Sequence, residues 1–171
     1  MESKAKALGH PIHPMLIVFP LGLFVAAVAF DIIYLVTGNR AFATVSFWNI
    51  AGGVLGGLAA ALFGFSDWFA IPAGTRAKSV GLWHGGGNVL VVALFALSWL
   101  LRMGARDNAP DMVAIALGLA GAGIGAVTGW LGGELVDRLG VGVDEGANLN
   151  APNSLTDKAP HAGRQVEGRG A

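Results

Sequence analysis

Four long apolar runs joined by short polar connections constrain this chain more than any other feature. They cover residues 15–36, 47–71, 80–101 and 112–136 and hold 22, 25, 22 and 25 residues. A helix crosses a bilayer with about 20 apolar residues. The runs are continuous rather than alternating, which excludes barrel strands. A segment in hydrocarbon must satisfy its own backbone hydrogen bonds, and a helix does so. Short connections set sequential helices antiparallel. The expected fold is all-α: an integral membrane four-helix up-down-up-down bundle over residues 1–143. Residues 144–171 are rich in Gly, Asn, Pro and charge, and read as a disordered polar C-terminal tail.

Composition agrees. Charged residues make up 13% of the chain, against about 25% in a soluble domain, too few to coat a globule with polar surface. A net charge of +0 carries no nucleic-acid footprint. The absence of cysteine excludes disulfides, thiolate nucleophiles and iron–sulfur ligation. Span one is long and contains Asp31, with no small-residue cleavage site after a short apolar core, so it reads as a retained anchor. Four spans put both termini on one side, here side A. Lys4, Lys6, Arg76, Lys78 and Arg138 lie near that side, against Arg40, Arg102 and Arg106 on side B. The bias places side A in the cytoplasm. Trp68, Trp83 and Trp130 near side A, and Trp48 and Trp99 near side B, fall where indoles anchor at the interface.

Ionisable residues within or beside spans are scarce and mark function or pairing. At side A the chain brings His10, His13, Asp67, His84 and Glu134 to one depth. The box His10-Pro11-Ile12-His13-Pro14 opens span one. Prolines fit a first helical turn, and histidines three apart then share a face. Pro20, inside the span, should kink it. His10, His13 and His84 with Asp67 or Glu134 form a candidate nitrogen–oxygen set for a divalent transition metal. His84 with His10 or His13 forms a candidate axial pair for haem b. The same residues also suit a proton relay or a structural polar edge. Toward side B, Asp31 and Arg102 are read as a structural ion pair, because a lone carboxylate at depth would protonate. Asn88 and Thr128 are read as interhelical hydrogen-bonding residues. His161, in the tail, reads as solvated.

Glycines recur at helical spacing: Gly52/Gly56 and Gly53/Gly57 in span two, and Gly121, Gly125, Gly129 and Gly133 in span four. Such stripes let backbones approach closely, within one bundle or between copies in a homo-oligomer.

The segments GHPIHPMLIVFPLGLFVAAVAFD at 9–31, AALFGFSDWFAIPAGTRAK at 60–78, HGGGNVLVVALFALSWLLR at 84–102 and GWLGGELV at 129–136, with GVGV at 140–143, carry a resemblance. The chain resembles a bacterial family of small membrane proteins catalogued as domain of unknown function 2231. The resemblance implies a four-span protein of the bacterial inner membrane. Some relatives are joined to Rieske-type domains, which implies a redox neighbourhood. Relatives often carry an aromatic where this chain has Asp137 and a histidine where it has Leu139; if that histidine contributes to a site in relatives, it cannot do so here. No phosphate loop, nucleophile elbow or HExxH is present, which argues against an enzyme. The leading functional expectation is a haem- or metal-binding redox component working with a membrane redox partner. The alternatives are a non-catalytic structural or partner-docking subunit and an oligomeric proton-coupled transporter.

Overall fold

The computed structural model describes residues 1–156. His161 and the last part of the expected tail lie outside the described residues. Four helical stretches are long and apolar enough to cross a membrane.

The chain enters as a strap. Lys6–Ala7 (β1) pairs antiparallel with His10–Pro11 (β2) across a two-residue turn. Leu8 and Gly9 both take positive φ, 51° and 83°, as a tight hairpin turn of this hand requires. Span one is split into α1 (Ile12–Leu16) and α2 (Val18–Thr37). Pro20 explains the break at Ile17. It has no N–H to offer the Leu16 carbonyl four residues back, and its ring crowds that carbonyl. The expected placement of the first histidine is corrected here. Pro11 forces the preceding residue into extended backbone, so His10 sits in β2, outside the helix, and does not share a face with His13.

The remaining spans start at side-chain caps. Asn39 accepts from the Ala41 amide and opens α3 (Arg40–Ala70). Thr75 accepts from Lys78 and opens α4 (Arg76–Arg102). Asp111 accepts from Ala114 and opens α5 (Met112–Gly133), which ends in a wider turn over Glu134–Arg138. The 31 residues of α3 extend about 46 Å, well beyond the hydrocarbon thickness of about 30 Å.

The first span packs on α3 and α5, and so does α4. Thus α2 and α4 face each other across the bundle and run parallel. Their meeting line is the core: Phe24 and Phe95 stack with ring centroids 4.0 Å apart and planes 4° from parallel, among Ala27, Ile50 and Val91. Large apolar side chains such as Phe19, Val25, Leu55, Leu62, Val89 and Val127 point outward, where lipid covers them.

Glycine makes the core contacts possible. A Cβ on Gly53 would lie 2.5 Å from Phe24, and one on Gly121 2.9 Å from Phe95. Gly52 and Gly56 sit against Leu23 and against Phe19 and Pro20 of the first span. Inside one bundle the expected stripe on span four packs only in part. A Cβ at Gly125 or Gly129 would meet nothing within 4 Å, and one at Gly133 would meet only the Asp137 carboxylate. At about 100° per residue, a four-residue step drifts about 40°, so a stripe that starts at Gly121 has left the interface by Gly129.

Candidate functional site at the side A end

His13 stands on α1, with the Nδ1–Cε1 edge of its ring against α3. Its Nδ1 lies 2.9 Å from the Ala60 carbonyl, and a Cβ on Gly64 would be 2.7 Å from the ring. His84 stands on α4 in the same relation to α5. Its Nδ1 lies 2.8 Å from the Thr128 carbonyl, and a Cβ on Gly132 would be 3.1 Å from the ring. A carbonyl only accepts, so in both rings Nδ1 carries the proton and donates. In the neutral ring Nε2 then keeps its lone pair. The two rings meet across the bundle with centroids 6.4 Å apart and planes 87° apart.

One further layer supports His84. The Asn88 amide donates to His84 Nε2 at 3.3 Å, and the Thr128 hydroxyl donates to Asn88 Oδ1 at 2.8 Å. A Cβ on Gly87 would be 2.4 Å from Thr128, so that glycine lets α4 and α5 close on this layer.

The other expected ligands are elsewhere. His10 Nε2 lies 3.2 Å from the Ser154 hydroxyl, at the exposed surface of the strap. Asp67 holds the strap itself. It accepts from the Lys4 amide at 2.8 Å, and the Ser3 hydroxyl sits 2.8 Å from each of its oxygens. Glu134 pairs with Arg76 at 2.6 Å. Among the described residues, no group of three or more His, Asp and Glu side chains is placed to hold a metal ion. Equal depth along a bundle does not imply equal azimuth around it, and each of the two carboxylates has a closer partner.

Above this layer the strap and the stretch after α5 are sewn together. Met1 pairs its backbone with Gly140 and Gly142, and Lys6 bridges Glu2 and Asp144. The Asp144 and Glu2 carboxylates hold the Lys6 ammonium above its ordinary pKa, and Lys6 holds Glu2 below the usual carboxylate range. Residues 146–156 continue as turns without helix or strand. A second clasp lies at the α3–α4 turn. Lys78 donates to the Trp68 carbonyl at 2.7 Å with its ammonium 3.9 Å over the indole, and Trp68 Nε1 donates back to the Lys78 carbonyl.

At the far end of the same diagonal, Arg102 forks onto Asp31 with two contacts of 2.7 Å. Arg102 is 0% exposed and Asp31 3%. Ser46 and Ser98 accept from the same guanidinium at 3.0 and 3.1 Å and pass their own protons to the Ala27 and Ala114 carbonyls. Among the described residues Arg102 Nε has no partner. All four spans are thereby tied into one polar knot.

The sequence reading missed that these contacts come in matched sets. His13 and His84, Phe24 and Phe95, and Asp31 and Arg102 are each 71 positions apart. Their partners on the following helices, Ala60 and Thr128, Gly64 and Gly132, and Gly53 and Gly121, are each 68 apart. Fixed offsets were the available signal. Apolar residues interchange freely in spans, which leaves few identities to reveal it.

A family model described as "Predicted membrane protein (DUF2231)" matches residues 9–145. No curated protein and no solved structure matches the chain.

Proposed function

The chain belongs to the DUF2231 family of predicted membrane proteins, and on that premise we propose that it is a small multi-pass component of the bacterial inner membrane that binds haem or a transition metal through His13 and His84. One observation carries the reading. Both imidazoles spend Nδ1 on a backbone carbonyl of a neighbouring helix, which fixes the tautomer and ring position and leaves Nε2 as donor atom. Ligating histidines are commonly held this way. Asp67, Glu134 and His10 drop out of the ligand set because each serves another contact. The role that fits is an electron-carrying or accessory subunit that works with a redox partner in the membrane rather than an enzyme.

Side A faces the cytoplasm in this reading. Arg102 is consumed in a buried pair and no longer counts as a loop charge. Lys4, Lys6, Arg76, Lys78 and Arg138 then stand against Arg40 and Arg106.

The test is a reduced-minus-oxidised visible spectrum and elemental analysis of the full chain purified in detergent, repeated after incubation with haemin and with copper and zinc salts. The expected result is about one equivalent of haem or metal per chain, lost in His13→Ala and His84→Ala and kept in His10→Ala. A folded protein that binds none of the probes overturns the reading. The polar end is then a set of internally satisfied contacts, and the protein is a structural or partner-docking subunit.

A further inference from the structure

The two halves of the bundle repeat each other contact by contact. In each helical hairpin a histidine on the first helix gives Nδ1–H to a carbonyl of the second and lies on a glycine one turn further along. In each, a phenylalanine eleven residues later lies on another glycine of the second helix. Where Ser46 of one hairpin bonds the Ala27 carbonyl, Ser98 of the other bonds the Ala114 carbonyl, so hydroxyl and acceptor have exchanged helices at matched positions. The identities Val18/Val89 and Leu23/Leu94 fall on the 71-residue offset, and Val45/Val113 and Gly57/Gly125 on the 68-residue offset. The first helices of the two hairpins run parallel, so the relating axis lies along the bundle, as in membrane proteins built from parallel repeats.

Three matched pairs lie on that axis: His13/His84, Phe24/Phe95 and Asp31/Arg102. The phenylalanines fill the middle, and the charged pair is closed on itself. Of the three, the histidines have lone pairs to give. We propose that the two hairpins are copies of one unit, and that His13 and His84, one from each copy, form a two-coordinate site on their shared axis for a single monovalent soft cation of the copper(I) class. This rests on the metal-binding reading above and narrows it.

The donor chemistry selects the ion. Both donors are neutral nitrogens, and the nearby carboxylates are committed to Ser3, Lys4 and Arg76. Calcium and magnesium demand oxygen ligands. Zinc takes four ligands. A divalent ion would also leave two uncompensated charges in a low-dielectric site, whereas a monovalent ion leaves one. Copper(I) accepts two imidazoles in line. Metal–nitrogen bonds of about 2.0 Å put two imidazole centroids about 6 Å apart once both Nε2 atoms face the ion; the ring centroids here stand 6.4 Å apart, so the site needs the rings to turn Nε2 to the axis but not to approach each other. Ion binding requires the Asn88 amide to leave His84 Nε2, a 3.3 Å contact and the longest in the cluster, while Asn88 keeps its bond from Thr128.

The experiment uses the full chain in lipid nanodiscs. Copper(I), kept reduced with ascorbate, is titrated against a chromophoric copper(I) chelator; zinc and haemin are tested separately. We expect one copper(I) per chain, two nitrogen neighbours by X-ray absorption, and a loss of affinity of at least about tenfold in His13→Ala and His84→Ala alike. His10→Ala should bind normally. If haemin binds and copper(I) does not, the proposal fails while the metal-or-haem reading stands. If nothing binds, both fail. Copper(I) binding that survives both substitutions also overturns the proposal. Should the alanine variants not fold, the wild-type absorption spectrum decides: sulfur or oxygen neighbours refute the site.

Discussion

Replacing Asp31 by asparagine separates two accounts of the buried knot at side B. The substitution keeps shape and one acceptor but removes the charge opposite Arg102, which is 0% exposed. If the knot acted only as ordinary interhelical hydrogen bonding, losing one of its two contacts would cost about 0.6 kcal/mol, and in any case no more than about 1 kcal/mol. If it acts as a buried ion pair, one partner is left as an uncompensated charge, and the cost rises to about 3–5 kcal/mol. The second value applies, because Ser46 and Ser98 already accept from Arg102 and, among the described residues, Asp31 is the one carboxylate paired with it. The separated-helix state widens the gap: Arg102 ends α4 and can snorkel to the interface once the helices part. A drop of about 3–5 kcal/mol lowers the folded-to-unfolded ratio by roughly two to three and a half decades, readable by reversible unfolding in mixed micelles. The double variant Asp31→Leu/Arg102→Met should recover most of the loss, since no charge then remains buried. A single-variant cost near 1 kcal/mol, or a double variant as poor as the sum of the singles, would refute the ion-pair account.

Other outcomes follow from the same geometry. Gly53→Leu and Gly121→Leu should each lower stability by about 1–3 kcal/mol or abolish folding, because Phe24 and Phe95 occupy the needed space. Gly125→Ala and Gly129→Ala, in open space, should be neutral or stabilising by up to about 1 kcal/mol in the same unfolding assay. The strap should show a pH window in amide exchange at Ile12, whose N–H bonds the Ala5 carbonyl. Glu2 has a lowered pKa, so its contribution is present above the ordinary carboxylate range and lost as pH falls below it. Lys6 has a raised pKa, so its contribution is present below the ordinary lysine range and lost as pH rises past it. Protection, the exchange rate divided into the intrinsic rate at the same pH, should therefore be greatest between the two ranges, and protection that stays constant to both extremes would remove these charges from the strap's hold. Because the chain has no cysteine, single introduced cysteines at Ser79 and Ala105 report orientation cleanly: the first should label from the cytoplasmic side and the second from the opposite side.

Depth was legible in the sequence, and rotation was not. Hydropathy located the four spans and set Asp31 and Arg102 at one level, where they meet. It also set His10, Asp67 and Glu134 level with His13 and His84, yet these five do not converge. The reasons are local. Pro11 holds His10 extended, Ser3 and Lys4 reach Asp67 from the strap, and Arg76 reaches Glu134 from the first turn of α4. Contacts from a strap that returns over the bundle end are long-range and leave no periodic trace. Within one bundle the glycine stripe of span four leaves the interface after Gly121 for a countable reason, the drift of a four-residue step on a helix of 3.6 residues per turn. The matched hairpins carry their signal in contacts more than in identities, so they emerged only once the diagonal pairs could be compared.

The central claim is that His13 and His84 share one ligand on the bundle axis. The most direct measurement is the metal and haem content of the full chain after exposure to copper(I), zinc and haemin, read for wild type and for His13→Ala. The account predicts one equivalent on the wild type and loss of that equivalent in the variant. A folded wild-type protein that stays colourless and metal-free, or a variant that binds as the wild type does, contradicts it.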